Sequence, residues 1–200
     1  MTIVRRAARL TPLAVLLIAA ACTPARRIDP NGTEVITSTS QIDIQDFNQA
    51  ANTLVQSMAE SGVFARSANK PAILGISRIT NDTATQFDTD ELIKKVRIAL
   101  LQTGKVQVST TEGLGGKPED PMAKSTKDMR DFQSGQSNAM PRLTDFTLTA
   151  KILQNSVSAG DTKQSSFIFQ MSLTDTTSGN AVWEGEATVT KQGQKNAIGF

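Results

Sequence analysis

The sequence predicts an α/β (α+β) fold, a mixed sheet with helices packed on it, and three observations carry that reading. An apolar run at residues 72–79 is followed by a helix-period segment and then by the alternating residues 105–109, the order of a βαβ unit with a parallel strand pair. Three later segments alternate with period two. The last two are joined by Asp-Thr-Thr-Ser-Gly-Asn (175–180), which predicts an antiparallel hairpin within a C-terminal meander.

Each element has its own local reason. Ile44, Phe47, Ala51, Leu54, Val55 and Met58 recur at helical spacing and predict a first helix beginning near Asp43, stopped by Gly62. Pro71 opens a largely buried strand over 72–79, and Asn81, Asp82 and Thr83 form the turn after it. A second helix starts at Asp88, with Glu91 completing a capping-box-like pair. Its inner face is Leu92, Val96, Ala99 and Leu100, while Lys94, Lys95 and Arg97 stay solvated, and Gly104 closes it. A further helix is expected from about Asp120 to Phe132. Phe146, Leu148, Ala150 and Ile152; Phe167, Phe169, Met171 and Leu173; and Trp183, Gly185, Ala187 and Val189 mark the three alternating strands.

The N-terminus predicts export. Arg5, Arg6 and Arg9 precede an uncharged stretch from Leu10 to Ala21, which matches a secretory signal peptide and is too short to span a bilayer. Ala19, Ala20 and Ala21 then meet Cys22, the sole cysteine, in a lipobox-like arrangement that makes Cys22 the lipidated mature N-terminus; an ordinary Ala-x-Ala cleavage site is the alternative. Thr23 follows where an Asp resembles an inner-membrane retention signal, so the expected address is the outer membrane, lipid-anchored and facing the periplasm. Residues 22–41 read as a lipidated terminus and tether, extending to at most about 65 Å, and residues 42–200 as one globular domain.

Composition excludes several function classes. Loss of residues 1–21 removes three arginines and no acid, leaving 18 basic against 19 acidic side chains. A near-neutral surface gives no electrostatic case for nucleic acid. Histidine and tyrosine are absent and tryptophan occurs once, which removes the commonest general base and metal ligand together. No catalytic residue, metal or cofactor is therefore expected.

The segments 73–83, 88–106 and 173–185, in this order and spacing, resemble the penicillin-binding protein activator LpoB family; the sharpest elements are Leu-Leu-Gln-Thr-Gly-Lys-Val and Thr-Ser-Gly-Asn-Ala-Val-Trp. The resemblance implies a fold similar to the N-terminal domain of TolB. It further implies an outer-membrane lipoprotein that binds a noncatalytic docking domain of a bifunctional class A penicillin-binding protein and stimulates it in peptidoglycan synthesis. The family's partner surface falls here on Ser77, Arg78, Asn81, Asp82 and Thr83, although the last three also read simply as turn formers. The tether is shorter than in some relatives, holding only Pro24 and Pro30.

Other readings of the sequence are weaker. An envelope lipoprotein of structural or assembly function would use the same fold to bind another periplasmic protein. Ser67 and Lys70 fit Ser-x-x-Lys, but its companion motifs are missing. Gly113, Gly115, Gly116 and Lys117 lack full phosphate-loop spacing. Asp88, Asp90 and Glu91 fit helix capping better than a cation site or a carboxylate-dependent hydrolase, and Trp183 fits the core better than a partner anchor.

Overall fold

In the computed structural model, residues 25–30, 32, 35, 37–111, 118–135 and 144–194 are described; the expected signal peptide, Cys22 and the stretch Gly113–Lys117 lie outside them. Helix α1 (Ile44–Glu60) begins where Asp43 Oδ1 accepts from the Gln45 and Asp46 amides, at 2.9 and 3.1 Å, and Asp46 Oδ2 accepts from the Asp43 amide at 2.8 Å. This reciprocal capping box satisfies otherwise orphaned donors. Phe47, Ala50, Ala51, Leu54, Val55 and Met58 turn inward. Ile44 does not join the stripe: it occupies the first helical position and is 51% exposed, while Ala50 takes a place the periodicity had not assigned. Gly62 leaves the helix at φ +72°, and a short 3-10 helix (Val63–Arg66) drops Val63 and Phe64 into the core.

Strand β1 (Ala72–Asp82) runs past the expected end, so Asn81 and Asp82 belong to the strand and not to the turn. Helix α2 (Thr89–Gln102) is capped by Asp88, whose carboxylate accepts from the Asp90 amide at 2.9 Å; no reciprocal bond returns from Glu91. Leu92, Ile93, Val96 and Leu100 are buried and Ala99 is partly so. Arg97 is buried too, against the expectation that it is solvated, because Glu119 folds back onto its guanidinium.

The parallel pair expected of the βαβ unit forms between β1 and β2 (Val106–Val108). Helix α3 (Pro121–Gln133) starts as expected, with Asp120 accepting from the Ala123 amide at 2.9 Å and proline in the first turn. None of its residues is buried, and Met122, Met129 and Phe132 lie exposed. It is tied to the domain at its entry, where the Glu119 and Asp120 amides both donate to Thr110 O.

Strands β3 (Phe146–Ala159), β4 (Thr162–Asp175) and β5 (Ala181–Gln194) form the meander. The sheet order is β2-β1-β3-β4-β5, parallel across the first three and antiparallel across the last three. Helices α1 and α2 pack together over one face, α1 against β5 and α2 against β1 and β2. Phe146, Leu148, Ile152, Phe167, Phe169, Met171, Leu173 and Trp183 meet them in one core. The alternate residues Thr147, Thr149, Gln170, Ser172, Glu184 and Glu186 form the polar opposite face.

Beyond Leu153, the partner of Asp82, the three meander strands continue without β1, and β3 reaches Ala159, about 20 Å further. The chain ahead of α1 lies against this extension: Lys163 Nζ donates to Ser40 Oγ at 2.8 Å and Lys191 Nζ donates to Gln41 O at 3.0 Å.

Candidate functional site

The residues that the sequence singled out, Ser77 to Thr83, sit along the second half of β1 and the turn that leaves it. Pairing with β3 begins in strict register at Leu74 opposite Phe146, and Ile76 opposite Leu148. The next core pair is Ile79 opposite Ala150, so β1 fits two residues, Ser77 and Arg78, where β3 spends one, Thr149. This is a bulge in a parallel pair, a placement seldom used. Without it Ser77 and Arg78 would alternate in and out; with it both are exposed side by side. Among the described residues no acceptor pairs with the Arg78 guanidinium.

What holds that register is Asp145, at the start of β3. Its amide donates to Ile73 O and its carboxylate accepts from the Ile73 amide, both at 2.7 Å, while Asn69 Nδ2 donates to the second oxygen at 2.8 Å. Burial alone raises the carboxyl's pKa, but the hydrogen bonds from Ile73, Ser67 and Asn69 outweigh it and hold the group below the usual carboxylate value. Packing adds a constraint at the same place, since a Cβ on Gly75 would meet Thr144 Cγ2 at 3.2 Å.

The turn itself divides the predicted residues by task. Asn81 faces into it: Oδ1 accepts from the Thr83 amide at 3.1 Å and from Thr83 Oγ1 at 2.7 Å, and Nδ2 donates to Thr85 O at 2.9 Å. The Ala84 amide donates to Gln154 Oε1 at 3.1 Å, tying the turn to β3. Asp82 stays exposed and pairs with Lys151 Nζ at 2.9 Å. Thus Ser77, Arg78 and Asp82 are presented to solvent, whereas Asn81 and Thr83 are committed to each other and shape the loop.

The other candidates resolve into structural roles. Ser67 Oγ donates to Asn69 O at 2.9 Å and Lys70 Nζ donates to Ala65 O at 2.7 Å, so neither addresses the other as a nucleophile and base must. Asp88 caps α2. Trp183 is 9% exposed and its indole lies over Gly185. Among the described residues no group of three His, Cys, Asp or Glu could hold a metal ion, and no helix is long and apolar enough to cross a membrane.

The bulge is not among the expectations drawn from periodicity, although the sequence carries a signal of it. The apolar spacing along β1 is two from Leu74 to Ile76 and three from Ile76 to Ile79, with polar Ser77 and Arg78 between.

Fold and surface together define a helix-backed α+β domain that presents a bulged strand and a rigid polar turn. Over residues 46–189 the chain matches the family model described as peptidoglycan-synthase activator LpoB, and it belongs to that family. Among solved structures it is similar to the LpoB C-terminal domain from Salmonella enterica, at 20% identity over 72% of this chain and 98% of that one, TM-score 0.45. It is also similar to the LpoB C-terminal domain from Escherichia coli, at 17% identity over 73% and 99%, TM-score 0.45. The NMR structure of E. coli LpoB aligns at 16% identity over 95% and 91%, TM-score 0.41. No curated protein sequence matches.

Proposed function

We propose that this chain is a lipid-anchored periplasmic regulator that binds and activates a bifunctional class A penicillin-binding protein in peptidoglycan synthesis, with no chemistry of its own. The family match supports the reading, and the observation that carries its mechanism is the bulge. It places Ser77 and Arg78 together on the surface, next to a turn whose shape Asn81 holds in advance of binding. A rigid loop loses little entropy on docking, so its contacts convert more fully into affinity. Activation follows if the regulator prefers the synthase's active arrangement over the resting one, which shifts the population by the difference in affinity.

In this reading Cys22 bears the acyl chains and holds the protein to the outer membrane. Residues 22–41 are the tether, and the docking domain of the synthase is met by Ser77, Arg78 and Asp82, with Asn81 and Thr83 shaping the loop. The test adds the full chain to purified class A synthase from the same organism and follows glycan polymerisation and complex formation. Faster polymerisation with a saturable complex is expected. Unchanged polymerisation with no complex sinks the proposal.

A further inference from the structure

At the opposite end of β1 from the bulge, a cleft of about 390 Å³ opens where the end of α1, the 3-10 helix and the turn between α2 and β2 meet. Its walls are apolar: Ala59, Phe64, Ala65 and Pro71. Two lysines from separate segments also line it. Lys70 Nζ donates to Ala65 O at 2.7 Å, and Lys105 Nζ donates to Ala59 O at 3.0 Å. Each bond holds an ammonium against a carbonyl at a helix end, where a cation is favoured. An ammonium carries three donors, so two on each lysine remain for another acceptor.

Nothing in the lining neutralises them, since no carboxylate is among the described residues of the cleft. Two glycines also border the cleft. Gly62 and Gly104 adopt φ +72° and +66°, and a Cβ built on either meets nothing within 4 Å. An apolar floor of this volume between fixed cations is complementary to an apolar group that carries negative charge beside it.

We propose that this cleft docks an acidic, apolar segment of a partner protein, one apolar side chain resting against Phe64 and Pro71 while neighbouring carboxylates meet Lys70 and Lys105. Cations contributed by two separate segments suit carboxylates at two positions of a peptide, whereas an amphiphile with one head group engages only one. The eleven residues of β1 separate this cleft from Asp82 by about 35 Å. The domain therefore has room to hold a second protein here while the bulge and turn are occupied, and the two sites stand or fall independently.

The test titrates the purified full chain against a fluorescein-labelled hexapeptide, Glu-Glu-Leu-Phe-Glu-Glu, by fluorescence anisotropy. Saturable binding is expected, weakened about fivefold to tenfold in the Lys70→Gln/Lys105→Gln protein and retained in Lys70→Arg/Lys105→Arg. Ala65→Trp, which fills the cleft, should abolish it, with thermal melting confirming that each variant is folded. Three results overturn the proposal. One is equal binding of Glu-Glu-Ser-Ser-Glu-Glu, which means charge without a cleft; another is equal binding by the Gln variant; the third is saturation by decanoate with no binding of the hexapeptide, which makes the site one for a free amphiphile.

Discussion

The Lys191 ammonium lies 2.5 Å from Asp46 Oδ2, and the same nitrogen lies 2.8 Å from Asp43 Oδ2. A side chain from β5 thus joins both members of the capping box of α1. Lys191 and Asp46 are almost entirely buried, so the Asp46 carboxyl is pushed up by desolvation, an effect its bonds to Lys191 and to the Asp43 amide only partly offset.

Lys191→Met should therefore be costly, because it leaves a buried carboxylate without its counter-ion. A loss of about 3 kcal/mol is expected, in the range found when one partner of a buried pair is removed. Adding Asp46→Asn should recover much of that loss. Urea unfolding of the two variants against the parent measures both steps.

Asp145 acts in the opposite sense on pH dependence. Its carboxyl titrates lower in the folded protein than in the unfolded chain, so the unfolded chain binds more protons between the two values and stability rises with pH there. The contribution is complete above about pH 5 and is lost as pH falls through about 3.9 toward the folded value. Asp145→Asn should be less stable at pH 7 and show a shallower acid-side decline. Thermal midpoints from pH 3 to 7 check this.

Gly185→Ala should disturb the core although it adds one methyl group. A Cβ there stands 2.4 Å from Trp183 Cζ2, so the indole must move, and Leu54 Cδ2 at 3.1 Å blocks the near side. Overpacking of this kind costs about 1–3 kcal/mol. Since Trp183 is the sole tryptophan, its emission reports the displacement directly.

Asn81 and Asp82 are neighbours with unequal expected effects. Asn81→Ala removes the bonds that shape the turn from Thr83 to Thr85 and should cost about 1–2 kcal/mol. Asp82→Ala removes one exposed ion pair with Lys151 and should cost less than about 1 kcal/mol. Equal losses in chemical denaturation would contradict the division of labour within the loop.

Arg78→Glu should weaken synthase binding at least tenfold by reversing a charge at the proposed surface, without shifting the melting temperature. Deleting Ser77 tests the bulge itself: it returns β1 to regular alternation and should reduce binding while the sheet still forms. Calorimetric titration against the purified synthase separates these outcomes.

The fold was readable wherever a core face imposed a period. Phe146 to Ile152 and Phe167 to Leu173 alternate because helices cover them, and both strands appear where that alternation stands. Their extensions, from Gln154 to Ala159 and from Thr162 to Ser166, hold one large apolar residue, the exposed Val157, and so carried little alternation to read. Asp88 caps α2 as its position predicts, but the reciprocal box stands elsewhere for a related reason. Asp88 and Glu91 have the spacing of a box, but Asp43 and Asp46 make one, with Lys191 holding their carboxylates from a strand some 150 positions away. Arg97 looked solvated because its burial depends on Glu119, beyond the reach of helix periodicity. At the site, the residue types named the loop but not its division into presented and structural members, which depends on where Asn81 points.

The attachment of Ser40 and Gln41 to Lys163 and Lys191 has a mechanical consequence. Tension carried along the chain into Ser40 meets the ends of β4 and β5 before Asp43, while further ahead Pro30 O is also held by Gln45 Nε2 of α1 at 2.6 Å. The load is then shared by strands paired along thirteen positions, which resist sliding together. With Lys191 absent, the Lys163 to Ser40 bond would remain between that pull and the first turn of α1.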